Sequence, residues 1–482
     1  MPLPAHLEHV PGPPLPVPSW VPKGFLSVLV AAILNAATRL ETSTSVSLSL
    51  ARFKAWLPTT TRKERFKFAI MITIALFSMF IMGSPGFPLK LAIPALYITA
   101  ILLPITSQFF LPASPIFLWL LFYYSSGFLS PSTRPHIWVS VLPTLETIWY
   151  GANISDILTR AGHPVLDVLA WIPYGIVHFA GPFFVAAFLF VFGPPGSVKF
   201  FGSAFGFLNL VGVIIQVTFP TAPPWYELRE GLTPANYSMK GSPAGLARID
   251  ALFGGHGYTL TFTNAPVPFG AFPSLHAGSA TMEALFCSYF FPIQLSLGDG
   301  SGRGLLGRWL GKGNKLAIDV RIFYWMYAFW LYWCTMYLQH HYLVDLVGGG
   351  CLATLSFYLF LDDTQRHYME EYYPTNPSAP APFTTLMQAS QSQLHLERRS
   401  EDVAMSALPR RSSDVEAAAR GSNGAAVKGR EDSETLFAVT EEGEEVASRS
   451  ATPKPVPGKE ATKAKESSRQ DAERDSFDDW GA

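Results

Sequence analysis

The chain of 482 residues is 49% hydrophobic and 14% aromatic but only 15% charged, well under the roughly 25% charge of a soluble globular protein, so a membrane is its expected solvent. Its 35 Lys and Arg nearly balance 36 Asp and Glu, which leaves no basic field to attract nucleic acid and excludes that partner. Cys287, Cys334 and Cys351 all fall in apolar stretches without a CxxC spacing, so neither a disulfide framework nor a zinc site is implied.

A Pro-rich, weakly charged opening leads into the apolar run Phe25 to Ala37. That run is too short for the roughly 20 residues of a spanning helix and lacks the basic lead of a signal peptide. It reads as an interfacial helix or as a short helix packed on the rest of the protein. Long apolar segments follow at about Phe68 to Ser84, Leu91 to Leu111, Ile116 to Tyr124, Leu169 to Phe192, Phe200 to Phe219, Leu275 to Ile293, Ile322 to Leu338 and Leu343 to Leu361. Most approach the length needed to cross about 30 Å of hydrocarbon. Ile116 to Tyr124 is short and follows two prolines, so it reads either as a span completed by its flanks or as a re-entrant piece. The expected fold is therefore all-α, a polytopic bundle of six to eight spans, with eight favoured.

Short loops rich in Lys and Arg stay cytosolic. Arg52, Lys54, Arg62, Lys63, Arg65 and Lys67 precede the first span, Arg303, Arg308, Lys312, Lys315 and Arg321 lie between Ile293 and Ile322, and Arg366 follows the last span. Both termini are thus expected in the cytosol, with segments 126–165 and 220–274 and the turn 339–342 in the lumen. The sequons at Asn153 and Asn236 both fall in those luminal segments. After Asp363 the composition turns to Ser, Ala, Glu, Lys, Arg and Pro, too polar to bury enough surface to offset its ordering entropy. Three regions result: a cytosolic N-terminal region 1–67, a transmembrane domain 68–363 and a disordered cytosolic tail 364–482.

Two histidine motifs sit where a luminal loop turns into a span: Phe272-Pro273-Ser274-Leu275-His276 and His340-His341-Tyr342-Leu343-Val344-Asp345. In a helix, His341 and Asp345 are four residues apart and share a face. A carboxylate so placed fixes the imidazole tautomer and leaves the other nitrogen as a nucleophile, the arrangement a phosphoryl-accepting histidine needs. His276 would protonate the lipid alkoxide that leaves and deprotonate the hydroxyl that enters. Helix N-termini at both motifs favour a phosphate. Any one of these histidines could instead be a structural, hydrogen-bonded residue, and HxxxD can hold a metal. A metal site lacks a clear third ligand here, since the span after His276 offers only Glu283, so no metal or cofactor is expected. Asp345 is an ionisable residue within a span, which is costly and usually functional.

The combination of Pro273-Ser274-Leu275-His276 with His341 and Asp345 resembles the second and third motifs of the phosphatidic-acid phosphatase superfamily, with Leu275 where glycine is usual. The arginine six residues before the nucleophilic histidine is replaced by Thr335, and no Lys-x6-Arg-Pro first motif is present. A plain lipid phosphatase is thereby disfavoured. The runs Phe219 to Tyr226, Ser238 to Asp250, Phe269 to Gly278 and Thr335 to Gly349 resemble the fungal inositol phosphorylceramide synthases, catalytic subunit, over roughly Phe68 to Asp363. The resemblance implies a Golgi membrane enzyme that transfers phosphoinositol from phosphatidylinositol to ceramide with release of diacylglycerol, alongside a small regulatory membrane subunit. It makes His276, His341 and Asp345 the catalytic triad. With the superfamily's Lys and Arg missing, Arg248 becomes the leading phosphate-binding candidate, backed by Lys240 and His340, unless Arg248 is spent on a salt bridge to Asp250 or another loop acid. The glycines Gly348, Gly349 and Gly350 read as a helix-packing device. A phosphatase using the same triad, and a lipid-binding or scrambling protein that kept only the fold, are the alternative functions.

Overall fold

The computed structural model describes residues 15–22, 25–297 and 316–372. The basic residues Arg303, Arg308, Lys312 and Lys315 and the tail from residue 373 onward, expected to be cytosolic and disordered respectively, lie outside the described residues. Short helices α1 (Phe25–Thr38) and α2 (Val46–Trp56) open the chain. The next helix, α3 (Arg62–Ile81), starts where Thr61 and Glu64 form a reciprocal capping box, the Thr61 hydroxyl accepting from Glu64 N and the Glu64 carboxylate accepting from Thr61 N.

The segment Leu91 to Leu111, expected as one span, is instead two helices, α4 (Leu89–Leu102) and α5 (Pro104–Phe110), bent by 112°. Pro104 is the cause: it has no N–H to continue α4, and it pushes Leu103 into an extended conformation (φ −91°, ψ 119°). Ile116 to Tyr124 forms the body of α6 (Ser114–Ser126), which packs between α3 and the long helix α11 (Ser197–Thr218). Two short helices, α7 (Val141–Tyr150) and α8 (Ile154–Thr159), lead into α9 (Pro164–Trp171), a π-helical turn Ile172–Val177 and α10 (His178–Phe192). Together these last three make one helical stretch, Pro164–Phe192, longer than the expected span. The loop after α11 carries α12 (Pro224–Glu230), α13 (Leu246–Phe253) and α14 (Gly257–Thr263).

The remaining long helices are α15 (Leu275–Phe290), α16 (Arg321–Tyr337) and α17 (Leu343–Phe360). Between α15 and α16, β1 (Gln294–Leu297) pairs antiparallel with β2 (Leu316–Asp319), Gln294 opposite Asp319. By length and composition Pro164–Phe192, Ser197–Thr218 and Leu343–Phe360 can each cross a membrane, and the bent α4–α5 pair makes a fourth candidate. The tail expected to be disordered from residue 364 begins with a further helix, α18 (Asp363–Tyr372), tied back by Gln365 Nε2 donating to the Pro195 carbonyl at 2.9 Å.

A phenylalanine-rich core lies where α10, α11, α15 and α17 meet and includes Phe200, Phe201, Phe205, Phe286, Phe290 and Phe357. Outer faces are equally apolar, with Phe80, Phe183 and Phe184 exposed by 85%, 78% and 73%. Such a belt is at home in hydrocarbon, where burying one more phenylalanine brings little gain and helix association rests on close packing. Glycines provide that closeness. A Cβ on Gly206 of α11 would lie 2.6 Å from the backbone of Pro115 and Ile116 on α6, and one on Gly212 would lie 2.3 Å from Leu275.

Candidate active site

The second histidine motif is shaped by the end of α16. After Tyr337 the chain turns through Gln339 at φ 66°, and the N–H groups of His340 and His341 both donate to the Thr335 carbonyl at 2.9 and 3.3 Å. Thr335, standing where the phosphatase superfamily has arginine, is fully buried and holds the histidine turn through its backbone. The turn feeds α17, whose first N–H groups, on Leu343 and Val344, donate to the buried carboxylate of Glu146 on α7 at 3.2 and 3.0 Å. One helical turn after His341, Asp345 sets its Oδ2 3.0 Å from His341 Nδ1.

The first motif arrives from α15. Ser274 is its N-cap, its hydroxyl accepting from Ala277 N, while Ser274 N donates to the Asp345 carbonyl at 2.9 Å. Gln216 of α11 holds the Pro273 carbonyl at 3.0 Å. These ties place His276 Nδ1 3.0 Å from His341 Nε2. The approach needs glycine: a Cβ on Gly349 would lie 2.1 Å from the Ser274 carbonyl oxygen, and one on Gly348 2.4 Å from the Phe272 ring. The glycine run therefore serves packing, as its sequence suggests.

The result is a relay, Asp345–His341–His276, in which Asp345 and His341 are buried and His276 is half-buried. With Asp345 ionised, His341 Nδ1–H donates to it, and the lone pair on Nε2 accepts from His276 Nδ1–H. Burial lowers the His341 pKa to about 3, a backbone hydrogen bond with Ala271 opposing, and protonating Nε2 would also set two N–H groups against each other across the 3.0 Å contact. His341 is thus a neutral imidazole whose Nε2 lone pair is covered by His276.

His340 is not aimed along this relay. It stacks on Tyr174 (ring centroids 5.3 Å apart, 22°) and lies 4.6 Å from the Phe262 ring, with burial and then the neighbouring His341 lowering its pKa to about 3. Tyr174 and His178 each set a ring 4.7 Å from His276. Arg248 is paired with Asp167, not Asp250. Its Nε donates to both carboxylate oxygens at 3.0 Å and its Nη2 to Oδ1 at 2.7 Å, with the Tyr337 hydroxyl donating to the same Oδ1 at 2.8 Å. That ion pair raises the Arg248 pKa, against the effect of burial. Asp250 instead accepts from the N–H groups of Tyr258 and Thr259 and from the Thr259 hydroxyl. Lys240 lines an open groove with Trp225, Arg229 and Glu230.

Of the residues singled out in the sequence, His276, His341 and Asp345 are brought together with His340 beside them, whereas Arg248 and Lys240 are held in separate settings. Glu146, Asp167, Tyr174 and His178 went unnoticed. Tyr174 and His178 carry a faint signal in their four-residue spacing. Glu146 carries none, because the N–H groups it accepts from lie 197 and 198 residues away. Among the described residues no group of three or more His, Cys, Asp or Glu side chains is placed to hold a metal ion.

The sequence profile of the PAP2 superfamily matches residues 138–297, which include His276. The chain is 44% identical over 326 residues to the inositol phosphorylceramide synthase catalytic subunit of Schizosaccharomyces pombe, covering 68% of this chain and 71% of that protein. It is 44% identical over 334 residues to the inositol phosphorylceramide synthase of Candida albicans, covering 69% of this chain and 64% of that protein. With the catalytic subunit of the same name from Saccharomyces cerevisiae it shares 48% identity over 259 residues, 54% of this chain and 58% of that one. No solved structure matches the chain. A match of this identity across 71% of the fission-yeast protein, on a helical membrane bundle with a His/His/Asp relay, establishes that the chain belongs to the inositol phosphorylceramide synthase family.

Proposed function

We propose that this chain transfers phosphoinositol from phosphatidylinositol to ceramide with release of diacylglycerol, and that His276, His341 and Asp345 carry the reaction. The observation that supports this most is the relay itself: a neutral imidazole oriented by a buried carboxylate, with a second imidazole 3.0 Å from its nucleophilic nitrogen. His341 Nε2 attacks phosphorus, the bond to the diacylglycerol oxygen breaks, and His276, which enters this step as the imidazolium, gives that oxygen a proton and becomes neutral. The ceramide hydroxyl then loses its proton to His276 and attacks phosphorus, breaking the P–N bond. His276 ends as it began, so the transfer needs no net proton. Asp345 holds the His341 tautomer in both steps.

The headgroup candidates are Lys240 on the polar groove and His340 beside the triad, while Arg248, 39% exposed, would reach a phosphate only by sharing its pair with Asp167. The same reading places the site on the luminal face of the Golgi membrane, both termini in the cytosol and a small regulatory membrane subunit alongside. Purified protein given labelled phosphatidylinositol and ceramide tests it. Labelled inositol phosphorylceramide, lost in His341→Ala, is the expected product. Release of labelled inositol phosphate to water without transfer would replace the transferase with a phosphatase.

A further inference from the structure

Glu283 lies mid-helix in α15 and is 5% exposed, and the mechanism above does not use it. Its Oε1 has no hydrogen-bond partner. The carboxyl lies against Gly181 of α10, where a Cβ would come 2.5 Å from Oε2. Tyr327 of α16 packs in the cluster that holds Ala280 and Ala284, the α15 residues three before and one after Glu283, and its hydroxyl is also enclosed without a partner. A buried carboxyl in a span is costly, and leaving it unpaired adds to the cost. Packing does not explain it, because an apolar side chain would fill the same space.

The position is informative. Glu283 is two helical turns past His276, and its side chain leans back toward the helix N-terminus, as side chains on helices do. Gly181, which it touches, follows by three residues the His178 whose ring contacts His276, a rise of about 4.5 Å. The free carboxyl oxygen therefore sits about one helical turn below the catalytic imidazoles, toward the middle of the membrane. A proton-storage role has little to recommend it, since the proposed transfer returns its proton to His276. What arrives from the membrane side with polar groups to satisfy is the acceptor. A ceramide carries, within a few bonds of the hydroxyl that reacts, an amide N–H and a second hydroxyl.

We propose that Glu283 and Tyr327 form the seat for the polar head of the acceptor lipid, with the Glu283 carboxyl accepting from the acceptor's amide N–H or non-reacting hydroxyl. The seat rests on the transferase reading and adds to it a residue that selects the acceptor. Because a buried acceptor left unpaired penalises the wrong ligand, discrimination against an acceptor lacking the donor is large.

The test measures initial rates in purified wild-type, Glu283→Gln, Glu283→Leu and Tyr327→Phe proteins. Two acceptors are compared, a ceramide and an analogue whose amide N–H is methylated and whose second hydroxyl is absent. Wild type should favour the ceramide by roughly 10–100-fold in kcat/KM. In Glu283→Leu that preference should collapse through a rise in the KM for ceramide, with the KM for phosphatidylinositol unmoved; Glu283→Gln should retain part of it. A wild type indifferent to the two acceptors overturns the seat even if every variant fails to fold, as does a Glu283→Leu protein that keeps the full preference. Absence of transfer to any ceramide by wild type would instead sink the transferase reading.

Discussion

Replacing Glu146 by alanine should damage the active site from a distance. The carboxylate is fully buried and receives the Leu343 and Val344 N–H groups at 3.2 and 3.0 Å, so Glu146→Ala leaves two donors unpaired at a buried helix N-terminus. Each orphaned donor costs about 1–3 kcal/mol, and losing an anion at the positive end of the helix dipole adds up to about 2 kcal/mol. Relief of the carboxylate's own desolvation offsets part of this. The net expectation is about 2–4 kcal/mol, read as a fall of several degrees in apparent Tm in detergent. Fraying of the first turn of α17 also loosens the His341–Asp345 contact, so turnover should fall roughly tenfold or more. Glu146→Gln, which keeps one acceptor oxygen, should lose less of both.

The pH dependence has a definite sign. Burial pushes the Glu146 carboxyl above its ordinary 4.5, while N–H groups of Val344, Leu343 and Ile154 pull it back and Glu227 adds to the rise. A folded pKa above the unfolded one stabilises the protein at low pH, and that contribution disappears as pH rises through the folded value. The stability advantage of wild type over Glu146→Gln should therefore shrink as pH rises from about 4.5. A Glu146→Ala protein with wild-type Tm and turnover would refute the reasoning.

Three further outcomes can be checked. His341→Ala should abolish both diacylglycerol release and transfer, while His276→Ala and Asp345→Asn should retain residual rates, lower by about 10²–10⁴-fold; a chirally labelled phosphorus should keep its configuration, and inversion would replace the phosphohistidine with direct attack. Gly349→Ala should cost about 1–3 kcal/mol or more of stability and most of the activity, because its Cβ would stand 2.1 Å from the Ser274 carbonyl and drive the His276 loop from Asp345; thermal shift with rate measurements on the same preparation reads both. Glycan mapping should modify Asn236, which is exposed on its loop, and spare Asn153, whose amide donates to Glu227 at 2.8 Å; a glycan in the 294–320 loop would reverse the proposed orientation.

The sequence by itself determined the apolar helical setting and the pairing of His341 with Asp345. His341 and Asp345 are linked by helix geometry alone, so their 3.0 Å contact follows from a four-residue spacing. Apolar segment length likewise follows from bilayer thickness. The bend at Pro104 was legible in principle, since it depends on one residue, but the continuous apolar run around it masked the break. Contacts between distant stretches carry no local pattern. The pairing of His276 with His341 spans 65 residues, Glu146 reaches a helix 197 residues on, and Arg248 finds Asp167 across 81 residues in preference to Asp250 two positions away. Helix direction explains that last choice: residues two apart on α13 point to different faces, so Asp250 could not turn back to Arg248, while α9 packs alongside and presents Asp167. Only the tertiary structure could decide which of several chemically suitable partners each charge meets, because that depends on which helices pack side by side.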